Sequence, residues 1–127
     1  MKYMLLMNAT RSNWESFGTM KPDEIRAHIE FMMNLNAELA ASKELVDAQG
    51  LTLPEMAKTV RARPGAAPVV TDGPFPETKE FLAGYWLLEC KAPERAVEIA
   101  ARISAAPGRD GKPMNFEVEL RPVGAPP

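Results

Sequence analysis

The sequence predicts an α+β fold. The elements run β-α-β-β-α-β in one antiparallel sheet, the ferredoxin-like order, with an extra hairpin strand. Three observations predict it. Tyr3–Met7 and Phe81–Cys90 are apolar on both alternating faces, as central strands covered on both sides are. Two other stretches, Pro22–Ala41 and the run opened by Pro93, carry apolar residues at helical spacing. Near the end, Phe116, Val118 and Leu120 alternate with Glu117, Glu119 and Arg121, the pattern of a one-sided edge strand. In a ferredoxin-like sheet the first and third principal strands are central, and the two doubly apolar stretches take those places.

Tyr3, Leu5 and Met7 share one face of the first strand, Met4 and Leu6 the other. Asn8–Met20 is a polar connection in which Trp14 and Phe17 tack a short helical turn onto the core. In the first long helix Pro22 suits the opening position, and Asp23 and Glu24 suit the positive end of the helix dipole. Its expected buried stripe is Ile25, Ile29, Met32, Leu35 or Asn36, and Leu39, with His28 on or beside it, and Glu24, Asn34 and Glu38 facing outward. Glu44–Ala48 is a short strand. Thr59–Arg63 alternates as a half-buried strand, Pro64–Ala67 turns, and Pro68–Thr71 returns, so Met56–Thr71 reads as a hairpin. In Phe81–Cys90, Leu82, Gly84, Trp86, Leu88 and Cys90 face one way and Ala83, Tyr85 and Leu87 the other. The second helix has Ala96, Val97, Ile99, Ala100 and Ile103 as its stripe and Glu98–Arg102 as an exposed i,i+4 pair. Pro107–Pro113 reads as a mobile loop. A single domain over 1–122 and a flexible tail over 123–127 follow.

Two helices cover one face of such a sheet. The other apolar face needs a partner, and a two-fold pairing of sheet against sheet supplies it, so a homodimer is expected.

At 127 residues the chain suits one domain. A formal net charge of −2 argues against a dedicated nucleic-acid binder. No apolar run approaches about 18 residues, so no membrane span is expected. One cysteine, Cys90, cannot form an internal disulfide and fits a reducing cytoplasm. One histidine and one cysteine leave no zinc set, and there is neither a glycine-rich phosphate loop nor a nucleophile elbow. No metal or cofactor is expected.

The stretch Val69–Trp86, VVTDGPFPETKEFLAGYW, holds the most distinctive local chemistry. Asp72 can accept backbone N–H bonds in an Asx-type turn. Gly73 precedes a proline and, lacking a Cβ, reaches backbone angles others cannot. Pro74 and Pro76 stiffen the corner on both sides of Phe75.

This run resembles the signature of the DGPF-domain branch of the YCII-related (YciI-like) family. KYMLLM at Lys2–Met7, ELVDAQGL at Glu44–Leu51 and VELRPV at Val118–Val123 resemble it too, in the family's order. The resemblance implies a dimeric α+β barrel, in a family largely without assigned biochemistry. Some such domains are fused or linked to ECF-type sigma factors, and a relative is a small-molecule dehydrochlorinase thought to use a His–Asp pair. Arg26-Ala27-His28-Ile29 resembles the place where relatives carry their histidine. Their partner aspartate follows the second helix, where this chain reads Arg102-Ile103-Ser104-Ala105-Ala106. A dyad would therefore have to recruit Asp72.

Two readings of function follow. In the first, His28 is a general acid or base with Asp72 orienting it, in lyase or dehydrochlorinase-like chemistry on a small apolar or aromatic acid. Met32, Arg61, Phe75 and Tyr85 are the candidate ligand-binding residues; Met32 and Phe75 also read as packing, Tyr85 as core, and Arg61 as a solvated edge residue. In the second, the chain is a non-catalytic ligand-binding or regulatory dimer associated with an ECF-type sigma factor. Cys90, on an apolar strand, reads as packing before it reads as a nucleophile.

Overall fold

A computed structural model of the chain describes residues 1–73 and 80–124. Its strands are β1 (Lys2–Ala9), β2 (Leu45–Gly50), β3 (Lys58–Arg63), β4 (Ala66–Asp72), β5 (Phe81–Glu89) and β6 (Glu119–Pro122). Its helices are α1 (Arg11–Gly18), α2 (Pro22–Ala41) and α3 (Pro93–Ser104). Four strands form an antiparallel sheet in the order β2-β5-β1-β6. The doubly apolar strands β1 and β5 are central, as their composition requires.

The β1–β5 register pairs Tyr3 with Leu88, Leu5 with Trp86 and Met7 with Gly84, which sets these residues on one face. Against that face pack Leu35 and Leu39 from α2 and Ala96, Ile99 and Ile103 from α3. Leu5, Leu35, Leu39, Leu88, Ile99 and Ile103 are fully buried, each worth about 1.5–3 kcal/mol of apolar burial. Trp86 brings a polar edge into this core, and its Nε1–H donates to Asn36 Oδ1 at 2.8 Å. On the opposite face Met4 pairs with Leu87 and Leu6 with Tyr85, all half-buried.

The α2 boundaries match those predicted from sequence. Pro22 opens the helix, and Glu24 Oε1 accepts the Lys21 N–H at 2.8 Å, satisfying one otherwise orphaned donor. The stripe is corrected. Ile29 is 49% exposed, while His28, Phe31 and Met32 are half-buried and Leu35 and Leu39 buried. Steps of three and four back from Leu39 lead through Leu35, Met32 and His28, and leave Ile29 one residue off the seam. Glu24 is half-buried rather than outward. In α3, Val97 is likewise 57% exposed. The expected Glu98–Arg102 pair does not form: Arg102 reaches Glu38 of α2 at 2.6 Å, and Glu98 meets Arg95 at 3.2 Å. Helical spacing cannot show a carboxylate offered by a neighbouring element.

The β3–β4 hairpin is a separate two-stranded sheet, with Val60 opposite Val70 and Lys58 opposite Asp72. All its strand residues are exposed, so the half-buried reading of Thr59–Arg63 is overturned. Alternation within one strand cannot tell whether anything lies against it. The glycine of the Asp72 corner has a cause other than the expected one. A Cβ on Gly73 would lie 2.0 Å from the Pro54 carbonyl oxygen, and its N–H donates to Ala57 O at 2.8 Å. Close backbone approach demands glycine here. Asp72 Oδ1 accepts from Lys58 Nζ at 2.6 Å.

After α3 the chain closes a loop through a bridge between Pro107 and Pro113, with a tight turn at Arg109–Gly111. Asp110 sits there at φ 57°. This segment, read from sequence as mobile, is hydrogen-bonded to itself through Gly108 N–H to Lys112 O at 2.8 Å, and to the helices as described below. Phe116, Val118 and Leu120 are half-buried and Glu117 and Glu119 exposed, as predicted, although regular pairing covers only Glu119–Pro122. Val123 N–H still donates to Lys2 O at 2.9 Å.

Candidate functional site

A cavity of about 560 Å³ opens between the end of β1, α1, α2 and the loop after α3. Its apolar lining includes Met7, Trp14, Phe17, Met20, Met114 and Phe116. The chain delivers these from its two ends, and local structure fixes each. Thr10 caps α1: its Oγ1 accepts the Asn13 N–H at 3.2 Å, while Asn13 Oδ1 accepts the Thr10 N–H at 3.0 Å. The helix so started carries Trp14 and Phe17 one turn apart, with ring centroids 5.9 Å from each other.

His28 lines the same cavity from α2. Its ring meets Phe17 edge-on, with centroids 5.3 Å apart and planes at 72°. Nδ1 lies 3.1 Å from the carbonyl oxygen of Pro107. A carbonyl only accepts, so Nδ1 carries the hydrogen, and the neutral ring keeps its lone pair on Nε2. The imidazole is thus held in one tautomer by the loop that closes the cavity.

That loop is tied down at two further points. Glu24 Oε2 accepts the Asp110 N–H at 2.5 Å, and Arg109 donates to Thr19 Oγ1. The backbone N–H groups of Lys21 and Asp110 hold the Glu24 carboxyl below its usual range, with Lys21 and Arg109 charges adding to the effect. Arg109 and Lys112 are exposed and stand at the cavity rim. No carboxylate is among the described residues that line the cavity.

Of the candidate catalytic and ligand-binding residues named from sequence, His28 alone among those the structure describes lines this cavity. Asp72 sits at the end of the exposed hairpin, its side chain 71% accessible and paired with Lys58. The described chain does not bring it to His28. Tyr85 lies on the opposite face of the sheet, where its hydroxyl donates to Asp47 Oδ2 at 2.7 Å. That bond lowers the carboxyl pKa of Asp47 and raises the phenol pKa of Tyr85. Met32 packs against the core, and Arg61 is exposed on β3. Phe75 lies outside the described residues. Cys90 is buried, and burial pushes its thiol up, away from the reactive thiolate. Among the described residues no three His, Cys, Asp or Glu side chains group to hold a metal, and no helix is long and apolar enough to cross a membrane.

Sequence reasoning missed most of this wall. Trp14 and Phe17 gave a usable signal: two aromatics three apart in a polar stretch mark one face of a helix. Arg109 and Lys112 sit in a run rich in glycine and proline, whose path sequence spacing does not fix.

An uncharacterized protein of Rhizobium meliloti (strain 1021) is 37% identical to this chain over 67 residues, which are 53% of this chain. The match spans 49% of that protein, about half its length. A sequence model of the YCII-related domain matches residues 1–109. With that match covering most of its length, the chain belongs to the YCII-related family.

Proposed function

We propose that the chain is a small-molecule enzyme of the DGPF branch, with His28 as its acid–base group. One observation carries this reading: the chain's single histidine lies on the wall of an apolar cavity, with Nδ1 tied to a backbone carbonyl and the lone pair left on Nε2. In an elimination, Nε2 would take a proton from carbon as the leaving group departs with its bonding electrons, the lyase or dehydrochlorinase-like chemistry. Asp72 has no part in it within one chain. The Pro107 carbonyl does the orienting that an aspartate does in a dyad.

A second reading has its own support. With a carbonyl rather than a carboxylate behind the ring, an imidazolium formed during reaction gains less stabilisation. This favours ligand binding without turnover, the regulatory role in which an ECF-type sigma factor would be the partner. In either case we propose a homodimer formed through the Met4, Leu6, Tyr85 and Leu87 face, in the cytoplasm, where the lone Cys90 stays reduced.

The deciding experiment incubates the protein with halogenated and hydroxylated aromatic and branched aliphatic acids, following both binding and product. Catalysis requires turnover that His28→Ala and His28→Asn abolish while binding persists. Turnover unchanged in both variants would sink the enzyme reading, and binding without product in the wild type supports the second.

A further inference from the structure

We infer that Lys112, with Arg109 beside it, is the recognition end of the His28 cavity for a single carboxylate, so that its ligands are monocarboxylic acids with an apolar or aromatic body. This rests on the cavity being the ligand site.

The inference starts from which polar groups are already engaged. Asn13 is held by the Thr10 cap, and Asn8 Nδ2 donates to Glu119 Oε1 at 3.2 Å. His28 Nδ1 is bonded to Pro107. Arg109 donates to Thr19. It also stands close enough to Glu24 for its charge to act on that carboxylate, so it is partly compensated. Lys112 makes no ion pair among the described residues. Among the described residues that line the cavity, the rim thus carries one cation without an ion pair, one partly compensated cation and no carboxylate, Asp110 of the same turn lying outside the lining.

A site with that charge attracts an anion and repels an amine. The surplus matches one carboxylate better than two. Trp14, Phe17 and Met114 supply the apolar wall for the rest of the molecule. A ligand held by its acid group at the loop would place its body along this wall, on which His28 also sits.

The test compares 3-phenylpropanoate, 3-phenylpropanamide and phenylsuccinate by calorimetric titration. Resonances of Met114 and Phe17 report whether binding occurs in the cavity. The monoacid should bind about tenfold tighter than the amide, the worth of one charge-assisted contact, and no weaker than the diacid. Lys112→Gln, which removes no hydrogen bond made by that side chain among the described residues, should erase the preference over the amide. Raising salt should erode it too. Acid and amide binding equally while shifting the cavity resonances would overturn the inference and leave the cavity reading intact. A preference that survives Lys112→Gln and Arg109→Gln together would also overturn it. No compound shifting those resonances would overturn both.

Discussion

The Nδ1 of His28 stands 3.1 Å from the carbonyl oxygen of Pro107, 79 residues further along the chain. The contact joins the second turn of α2 to the loop that closes the cavity, and it dictates where the imidazole proton resides. We expect long-range ¹H–¹⁵N correlation at neutral pH to show the neutral ring protonated at Nδ1. A neutral ring with its proton on Nε2 would contradict the geometry.

Glu44 and Arg95 make a two-pronged pair, Nε to Oε2 at 2.8 Å and a second guanidinium nitrogen to Oε1 at 2.9 Å. The Arg95 hydrogen bonds pull the Glu44 carboxyl from 4.5 down to about 2, with Ser42 contributing and burial opposing. A carboxyl whose pKa is depressed in the folded state stabilises the fold above its unfolded pKa and loses that contribution as pH falls. The window here runs from 4.5 down to about 2. The side chains are 17% and 32% accessible, so solvent screening trims the gain to about 1–2 kcal/mol. Urea unfolding of wild type and Glu44→Gln should differ at neutral pH and converge toward pH 2. A gap independent of pH would refute the linkage.

Asn36 is the acceptor for the indole of a tryptophan that is 6% exposed. Asn36→Ala leaves that donor buried and unmet, a cost of about 1–3 kcal/mol. The double variant with Trp86→Phe should show the two losses to be non-additive, because the phenylalanine has no N–H to satisfy. Simple additivity in chemical denaturation would mean that the bond contributes nothing.

Gly73→Ala forces a methyl group onto the Pro54 carbonyl. The hairpin end must shift, and the hydrogen bond to Ala57 O is lost with it. We expect faster amide exchange at position 73 and through β4, with α3 protection unchanged, and a stability loss of about 1–3 kcal/mol. Unaltered exchange at position 73 would show that the backbone yields freely there.

The face made by Met4, Leu6, Tyr85 and Leu87 bears on the proposed dimer. Wild-type protein should sediment as two copies, and Leu6→Glu combined with Leu87→Lys should sediment as one while keeping its far-ultraviolet circular dichroism. A wild type that sediments as a single copy would dismiss the pairing.

Much of the fold was legible because burial leaves a periodic trace. Tyr3–Met7 and Phe81–Cys90 announced central strands by being apolar on both faces, and the α2 boundaries followed from Pro22 and the spacing through Leu39. What failed was information that one element cannot carry. Ile29 looked like core until the phase of α2 was set by what it packs on. Helical spacing pairs Arg102 with Glu98, whereas in the fold it reaches Glu38 of α2. Of the candidate site residues, His28 is the one that falls on the cavity wall, and it stood out in the sequence because it is the lone histidine. Its true orienting group is a backbone oxygen, which every residue has and no sequence pattern marks. Asp72 drew attention for its side chain, whereas the spatial constraint at that corner belongs to the glycine after it.

Most of the cavity wall is supplied by residues 7–20 and by the segment after α3, with His28 of α2 and Ala83 of β5 between them. A nascent polypeptide halted short of Pro107 would already possess its imidazole yet have nothing to steer it, and the aromatic pair on α1 would face an unfinished hollow. The hollow therefore takes shape no earlier than the loop from Pro107 to Pro113, and the ligand site proposed there would depend on that loop having docked.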